Sequence, residues 1–318
     1  MRQKDIQCDF KKYSRKTRTI LLCCLIAMFA GLYVVLVNNQ SNSITISNRT
    51  FPLKKNIRNY LLLGIDTEGS ILEEREPGLA GQSDAIYLLS CDIKSHKARI
   101  IAIPRDTMTE IQIFLPSGKE NGTSVDHLTL QYAFGDGREK SCELMRKAVS
   151  RLLYGLPVHG YVALNLGAVP WLADELGGVD LVVPDDSASV EDPEFIQGAK
   201  VTLDRKNVKK FLRFRDIGVS LSAMTRMERH KTFFKACAEK IKKEYRRNPV
   251  GLFHLYKSFK KEIVSDISFW ECGMLVNLEL EEEIVVIPGD SFNGGDYDEF
   301  YVDEDALQGM LIRMFCEE

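Results

Sequence analysis

The sequence predicts an α/β fold, a sheet with helices on both faces, preceded by one transmembrane helix. Three observations predict it. Short apolar runs ending in turn residues alternate with segments of helical apolar period, the pattern of a sheet layered between helices. The 18 residues from Ile20 to Val37 carry no charge and are near the length a helix needs to cross a bilayer core of ~30 Å. Finally, 318 residues, 45% of them hydrophobic, with ordinary Gly and Pro counts and no visible repeat, suit one large domain. A disordered chain or a solenoid fits none of this.

Residues 1–18 hold seven basic groups against two acidic ones, whereas everything after Val37 carries a net charge of −8. The positive-inside rule then predicts a cytoplasmic tail (1–19), a transmembrane anchor (20–37) and an extracellular remainder, a single-pass protein of the cell membrane. A cleaved signal peptide is the rival, but its apolar segment spans only about 7–15 residues, and Ser41-Asn42-Ser43 is a weak cleavage site. An acidic domain behind so short a tail excludes nucleic acid as a partner. Five cysteines fall beyond the anchor, an odd number without C-x-x-C spacing, which predicts buried small hydrophobes rather than disulfides or a zinc site.

Beyond the anchor, residues 38–58 are polar and aperiodic and read as a stalk, leaving 59–318 as one domain. Tyr60–Leu63 is a buried strand that ends at Gly64-Ile65-Asp66 and delivers a carboxylate into a loop. Asp84–Asp92 and Ala98–Ile103 are two more strands at hairpin spacing, the second stopped by Pro104 before Arg105. Apolar residues at Leu144, Met145, Ala148, Leu152 and Leu153 predict a helix over 138–154, closed by Gly155 and Pro157. A strand (160–164), a helix (168–176) and a strand (179–183) follow. Asp204 is read as the cap of a helix over 205–214, and Thr225 as the cap of one running to about Tyr245. The tail holds a helical stretch near 269–278, a strand at 283–287 and a helix near 304–315.

Three kinds of group can converge at one end of such a sheet. Asp66 and Asp84 both lie at strand boundaries, and neighbouring strands would let them share a hard divalent cation, which takes oxygen ligands and keeps several waters. The plainer reading is a turn residue and a strand-edge residue. Arg105 follows a strand-ending proline, and Arg213, Arg215, Arg226 and Arg229 cluster later, the last two near His230 on one helix face. Planar, permanently charged forks suit a pyrophosphate because each binds two oxygens at once; the alternative is a solvated basic face. No G-x-S-x-G elbow, P-loop or HExxH occurs, so the pattern points to positioning and charge neutralisation rather than a protein nucleophile.

Asn59-Tyr60-Leu61-Leu62-Leu63-Gly64-Ile65-Asp66, Ser83-Asp84, Ile103-Pro104-Arg105-Asp106-Thr107 and Tyr132-Ala133-Phe134-Gly135 resemble, in order, the first half of the LytR-CpsA-Psr domain. Gly177-Gly178-Val179-Asp180, Arg213-Phe214-Arg215, Arg226 and Arg229 resemble the second. The resemblance implies a three-layer α/β/α sandwich around a mixed sheet, with an apolar pocket for a polyprenyl chain. It implies transfer of a glycopolymer from a polyprenyl-pyrophosphate carrier to peptidoglycan at the membrane, with Mg²⁺ held by Asp66 and Asp84. Arg105, Arg213 and Arg215 would bind the pyrophosphate, with Arg226 a further basic site, and Asp84 and Arg105 would carry the chemistry. Leu144, Ala148, Leu152, Phe233 and Phe234 are the expected tunnel walls. The chain departs from the family pattern at Gln82, where Arg is usual, at His127-Leu128-Thr129, and around Ala223. A weakened binding module, or a polyprenyl-pyrophosphate phosphatase, is the alternative function.

Overall fold

The computed structural model describes residues 43–214, 222–246, 248–293 and 298–317. The predicted tail and anchor lie outside these residues, and no helix among them is long and apolar enough to cross a membrane. The strands in chain order are β1 (Ser43–Ile46), β2 (Arg49–Pro52), β3 (Ile57–Ile65), β4 (Ser83–Asp92), β5 (Lys97–Ala102), β6 (Met108–Phe114) and β7 (Glu120–His127). They continue with β8 (Gly160–Asn165), β9 (Val179–Val182), β10 (Lys200–Leu203), β11 (Val264–Ser265), β12 (Glu279–Val286), β13 (Gly289–Asn293) and β14 (Asp298–Val302).

Six of them make a mixed central sheet in the order β11-β8-β3-β4-β5-β12. The pairs β3–β8 and β5–β12 are parallel; β3–β4, β4–β5 and β8–β11 are antiparallel. The ends of β3, β5 and β8 therefore meet the start of β4 at one end of the sheet, where Asp66, Asp84 and Asn165 lie together.

Strand alternation sorts side chains onto two covered faces. Leu61, Leu63, Ile86, Leu88 and Ile101 pack against Met145, Ala148 and Val149 of the Glu139–Leu152 helix and Leu307, Leu311 and Phe315 of the Glu304–Phe315 helix. On the other face Leu62, Ala85, Tyr87 and Ile100 meet Met227 of the Ser222–Tyr245 helix. Tyr60 and Ala98 meet Cys272 and Leu275 of the Phe269–Leu275 helix. A third core joins the Ala168–Glu175 helix, β9, β10, the Val208–Arg213 helix, Phe233 and Leu255 of the Pro249–Phe259 helix. The five described cysteines are free, and four are buried.

Several boundaries differ from the sequence reading. The stretch read as a stalk forms, from Ser43 to Pro52, a hairpin whose Ile44 and Ile46 are buried in the core against the C-terminal helix. Its alternation spans only four residues, too few to stand out from a polar background. The helix expected from Arg205 starts at Val208, because Asp204 accepts the Lys206 N–H and closes a turn instead. Thr225 lies inside its helix, three residues after the start at Ser222. Strand β12 begins four residues before the expected Glu283, its acidic first half running along the sheet edge. The hairpins β6–β7 and β13–β14 and the Pro249–Phe259 helix are additions to the sequence reading. That helix does carry a legible start: Asn248 accepts the Gly251 N–H at 2.9 Å, with Pro249 in the first turn.

Candidate functional site

Asp66 leaves the end of β3 and closes reciprocally on the chain before β4. Its N–H donates to the Gln82 carbonyl at 3.0 Å, and its Oδ1 accepts the Gln82 N–H at 2.7 Å. Gly81 beside it has φ +86°, and a Cβ there would lie 2.3 Å from Thr67 Cγ2 and 2.9 Å from Asp66 Oδ1. Only glycine fits this turn. On β4 the register skips a residue, since Gly64 pairs with Ala85 and Ile65 with Ser83. Asp84 is thus the extra residue of a β-bulge, a device that turns a side chain away from plain alternation.

The bulge brings Asp84 to Arg105, whose Nη1 donates to Asp84 Oδ1 at 2.5 Å while its Nε lies 3.2 Å from Asp106 Oδ1. Burial alone would lower the Arg105 pKa, but the two carboxylates outweigh it and raise it, so the guanidinium stays charged. Buried Thr129 ties this corner together. Its hydroxyl donates to the Ser83 carbonyl at 3.0 Å, and its N–H donates to the Arg105 carbonyl at 3.0 Å. On the other side Asn165, also buried, donates to the Gly69 carbonyl and caps the Ala168–Glu175 helix through Gly167 and Ala168.

Asp66, Asp84 and Asn165 rim a cavity of about 440 Å³ between the sheet and the Ser222–Tyr245 helix. Asp66, Asp84, Asn165, Arg213, Arg226 and His230 form its polar part; Leu62, Ala85, Tyr87, Leu164, Val169 and Phe234 form its apolar wall. A second cavity, of about 170 Å³, shares Leu62, Tyr87 and Phe234 with the first and continues between Leu89, Ile100, Leu275 and Leu280. A cavity with a charged rim and an apolar chamber therefore lie side by side, with Leu62, Tyr87 and Phe234 in the walls of both.

Of the residues expected in the site, Asp66, Asp84, Arg213 and Arg226 share this cavity, and Arg105 joins it through Asp84. Arg215 and the backbone around it lie outside the described residues. Arg229 is fully buried away from the mouth. It donates to Asp185 Oδ1 (2.9 Å), the Ser187 hydroxyl and the carbonyls of Phe211 (2.9 Å) and Phe214. His230 next to it bridges Tyr87, whose hydroxyl donates to Nδ1 at 3.0 Å, and the Leu212 carbonyl, which accepts from Nε2 at 3.0 Å. Burial pushes its pKa down to about 4, so the ring is neutral, with its proton on Nε2. Together Arg229 and His230 hold the end of the helix that presents Arg213.

The expected tunnel walls are corrected in part. Phe234 lines both cavities, but Ala148 and Leu152 belong to the core on the opposite face of the sheet, on the helix that also carries Leu144. Phe233 is buried in the third core. Helical period identifies an apolar face in each case and is silent on which side of the sheet covers it. The sequence reading does not mark Asn165, Thr129 and His230 as supports. The end of a strand paired beside Asp66 is the available signal for Asn165.

No cluster of three or more His, Cys, Asp or Glu side chains suited to a metal occurs among the described residues. The donor set is two carboxylates on one cavity rim, each with one oxygen engaged, by Gln82 or by Arg105. That fits Mg²⁺, which takes one or two carboxylates together with waters and substrate phosphates, and not a metal needing a closed protein cage.

A model of the LytR_cpsA_psr family matches residues 34–279. The polyisoprenyl-teichoic acid–peptidoglycan teichoic acid transferase TagU of Bacillus cereus is 27% identical over 265 residues, 80% of this chain and 76% of that protein. The crystal structure of B. subtilis TagV superposes with a TM-score of 0.61 at 19% identity, over 82% of this chain and 97% of that one. TagT bound to LI-WTA gives 0.58 at 21% identity, over 86% and 94%. The central mixed sheet is common to these folds.

Proposed function

The chain belongs to the LytR_cpsA_psr family, and from that premise we propose that it is a membrane-anchored transferase. It moves a glycopolymer from a polyprenyl-pyrophosphate carrier to peptidoglycan by phosphoryl transfer. The observation that carries this reading is the pairing of a cavity rimmed by carboxylates and arginines with an adjacent apolar chamber that shares its Leu62, Tyr87 and Phe234 wall. A phosphorylated lipid needs both: each buried CH₂ contributes about 0.8 kcal/mol, while its pyrophosphate demands several cations at once. The relatives named as teichoic acid transferases support the class of reaction.

In this reading Arg105, Arg213, Arg215 and Arg226 bind the pyrophosphate and stabilise the charge that moves onto the leaving phosphate. An acceptor hydroxyl attacks the phosphorus bound to the glycopolymer, the anhydride bond breaks, polyprenyl phosphate departs and a phosphodiester remains. Asp84 takes the hydroxyl proton, and Arg105 holds that carboxylate in place. Mg²⁺, when bound by Asp66 and Asp84, neutralises charge on the pyrophosphate. Residues 20–37 keep the domain beside the carrier's membrane, with the domain outside the cell.

Purified protein given a polyprenyl-pyrophosphate-linked glycopolymer, Mg²⁺ and peptidoglycan should couple the polymer and release polyprenyl phosphate. Asp66→Ala should abolish both, and Arg105→Ala should reduce both on the order of 10²–10³-fold, with the fold intact. Release of phosphate without coupling would replace the reading with a phosphatase. Binding without release would replace it with a carrier-binding module.

A further inference from the structure

The Pro249–Phe259 and Phe269–Leu275 helices present an apolar surface that no described element covers. Trp270 is 83% exposed, Val250 66% and Phe253 40%. They form one patch. Phe253 stacks edge-on against Phe269 at 5.3 Å, and Phe269 lies 5.8 Å from Trp270. Val250, Phe253, His254 and Lys257 are exposed at i, i+3, i+4 and i+7, a single helix face, while Leu255 on the other side is buried in the core. Large apolar side chains gathered on an outer helix face mark an interaction surface.

The charge around the patch narrows its partner. Among the described residues of 246–261, Arg246, Lys257, Lys260 and Lys261 are basic and none is acidic, on a domain that otherwise carries an acidic balance. Lys257 Nζ sits 5.0 Å above the Phe253 ring, and Lys261 is exposed at the helix end. Tryptophan and phenylalanine interleaved with lysine is the chemistry of an anionic bilayer surface, where rings enter the headgroup layer and ammonium groups meet phosphates.

Position agrees with this. The Tyr60 hydroxyl donates to Glu271 Oε1 at 3.4 Å, and the Tyr161 N–H to Asp266 Oδ1 at 2.7 Å, so this region sits at the starting ends of β3 and β8. Asp66 is six residues further along β3, about 20 Å at ~3.3 Å per residue. The helix that carries Trp270 also sends Leu275 into the apolar chamber. Ser43 pairs with Pro52, five residues before β3 starts, so the first described strand approaches the sheet from the same end.

We propose that the Val250–Phe253–Trp270 face docks on an anionic lipid bilayer, at the end of the apolar chamber opposite Asp66 and Asp84. A lipid tail then passes from bilayer to chamber without crossing water. The route of the tail rests on the lipid-carrier reading above; the docking itself is measured without turnover.

The chain has two tryptophans, and Trp171→Phe leaves Trp270 as the reporter. The full-length variant is reconstituted into phosphatidylglycerol–phosphatidylethanolamine vesicles with brominated acyl chains. Trp270 emission should move to shorter wavelength and lose most of its intensity, and Phe253→Glu with Lys257→Glu should restore it. Unquenched, water-like emission overturns the proposal. So does a blue shift that bromine does not quench but dilution reverses, since a second copy would then cover the face. Trp270→Glu should slow transfer from a long-chain carrier in vesicles and spare transfer from a short, water-soluble carrier. If neither carrier turns over while quenching persists, the transferase reading fails and the docking stands.

Discussion

Arg229 and Arg105 each pair with an aspartate, one in the interior and one at the mouth of the cavity. Arg229 is wholly buried and its guanidinium ends on protein at every nitrogen: Asp185, Ser187 and two carbonyls. Arg105 keeps 32% of its side chain exposed and meets only Asp84 and Asp106. Burial lowers the Arg229 pKa and Asp185 opposes that, whereas the two carboxylates prevail over burial at Arg105. The same residue pair is thus a brace where every guanidinium nitrogen ends on the fold, whereas at Arg105 part of the fork stays open to solvent, as the proposed pyrophosphate role needs. Exposure, not the identity of the pair, separates the two uses.

The contrast breaks most plainly through stability. Arg229→Ala should cost about 3–5 kcal/mol in urea denaturation, because it takes the charge partner from half-buried Asp185 and the donors from the Phe211 and Phe214 carbonyls. Arg229→Lys should recover little, since an ammonium cannot reach acceptors spread around a plane. A loss under about 1 kcal/mol would remove the distinction.

At the mouth the damage should fall on chemistry instead. Arg105→Ala should reduce transfer on the order of 10²–10³-fold, the scale of deleting one transition-state donor. Its effect on unfolding should stay within about 1 kcal/mol, as for a part-exposed pair. Paired single-turnover and denaturation measurements decide this, and parallel losses in both would assign Arg105 to the fold.

The pH dependence sharpens the interior side. Burial holds His230 and His159 near a pKa of about 4, below the usual 6.5. The unfolded chain therefore takes up protons that the folded chain refuses, and stability falls as pH drops from about 6.5 toward 4. Each histidine should cost on the order of 2 kcal/mol between pH 7 and 5, and His230→Gln should remove about half of the slope of denaturation midpoint against pH. An unchanged slope would deny that His230 is neutral in the fold.

Gln82→Arg should have the smallest effect. Gln82 holds Asp66 through its backbone N–H and carbonyl, which the substitution keeps, so transfer should stay equal or rise. A large loss would mean that the Gln82 side chain itself serves the mouth. If Gln82→Arg with His127→Lys instead creates turnover in a protein that otherwise only binds carrier, the native chain is a binding module.

Much of the mouth is legible in the order of amino acids alone. The strand ending in Asp66, the strand opening at Asp84 and the proline before Arg105 are local signals, because alternation and turn chemistry are properties of neighbours in sequence. Arg226 and Arg229 show where that stops. They look alike on one helix face, yet three residues fall about 60° short of a full turn. That angle is enough to leave Arg226 on the cavity and turn Arg229 into the interior. Leu144, Ala148 and Leu152 are apolar as their spacing demands, but they lie on the side of the sheet away from the cavity, since periodicity names a face without naming its cover.

By itself, then, the sequence determined the α/β order, the charged end of the sheet and the arginine-rich segments, all of which follow from contacts within a few residues. The tertiary structure alone decided the Asp84 bulge, the bracing by Thr129 and Asn165, and the burial of Ile44 and Ile46 in a stretch that reads as polar. It also decided which apolar faces were left uncovered at Phe253 and Trp270. Each of these depends on pairing between segments far apart in the chain. Burial is a property of whatever packs against a residue, and no local pattern encodes the identity of that distant neighbour.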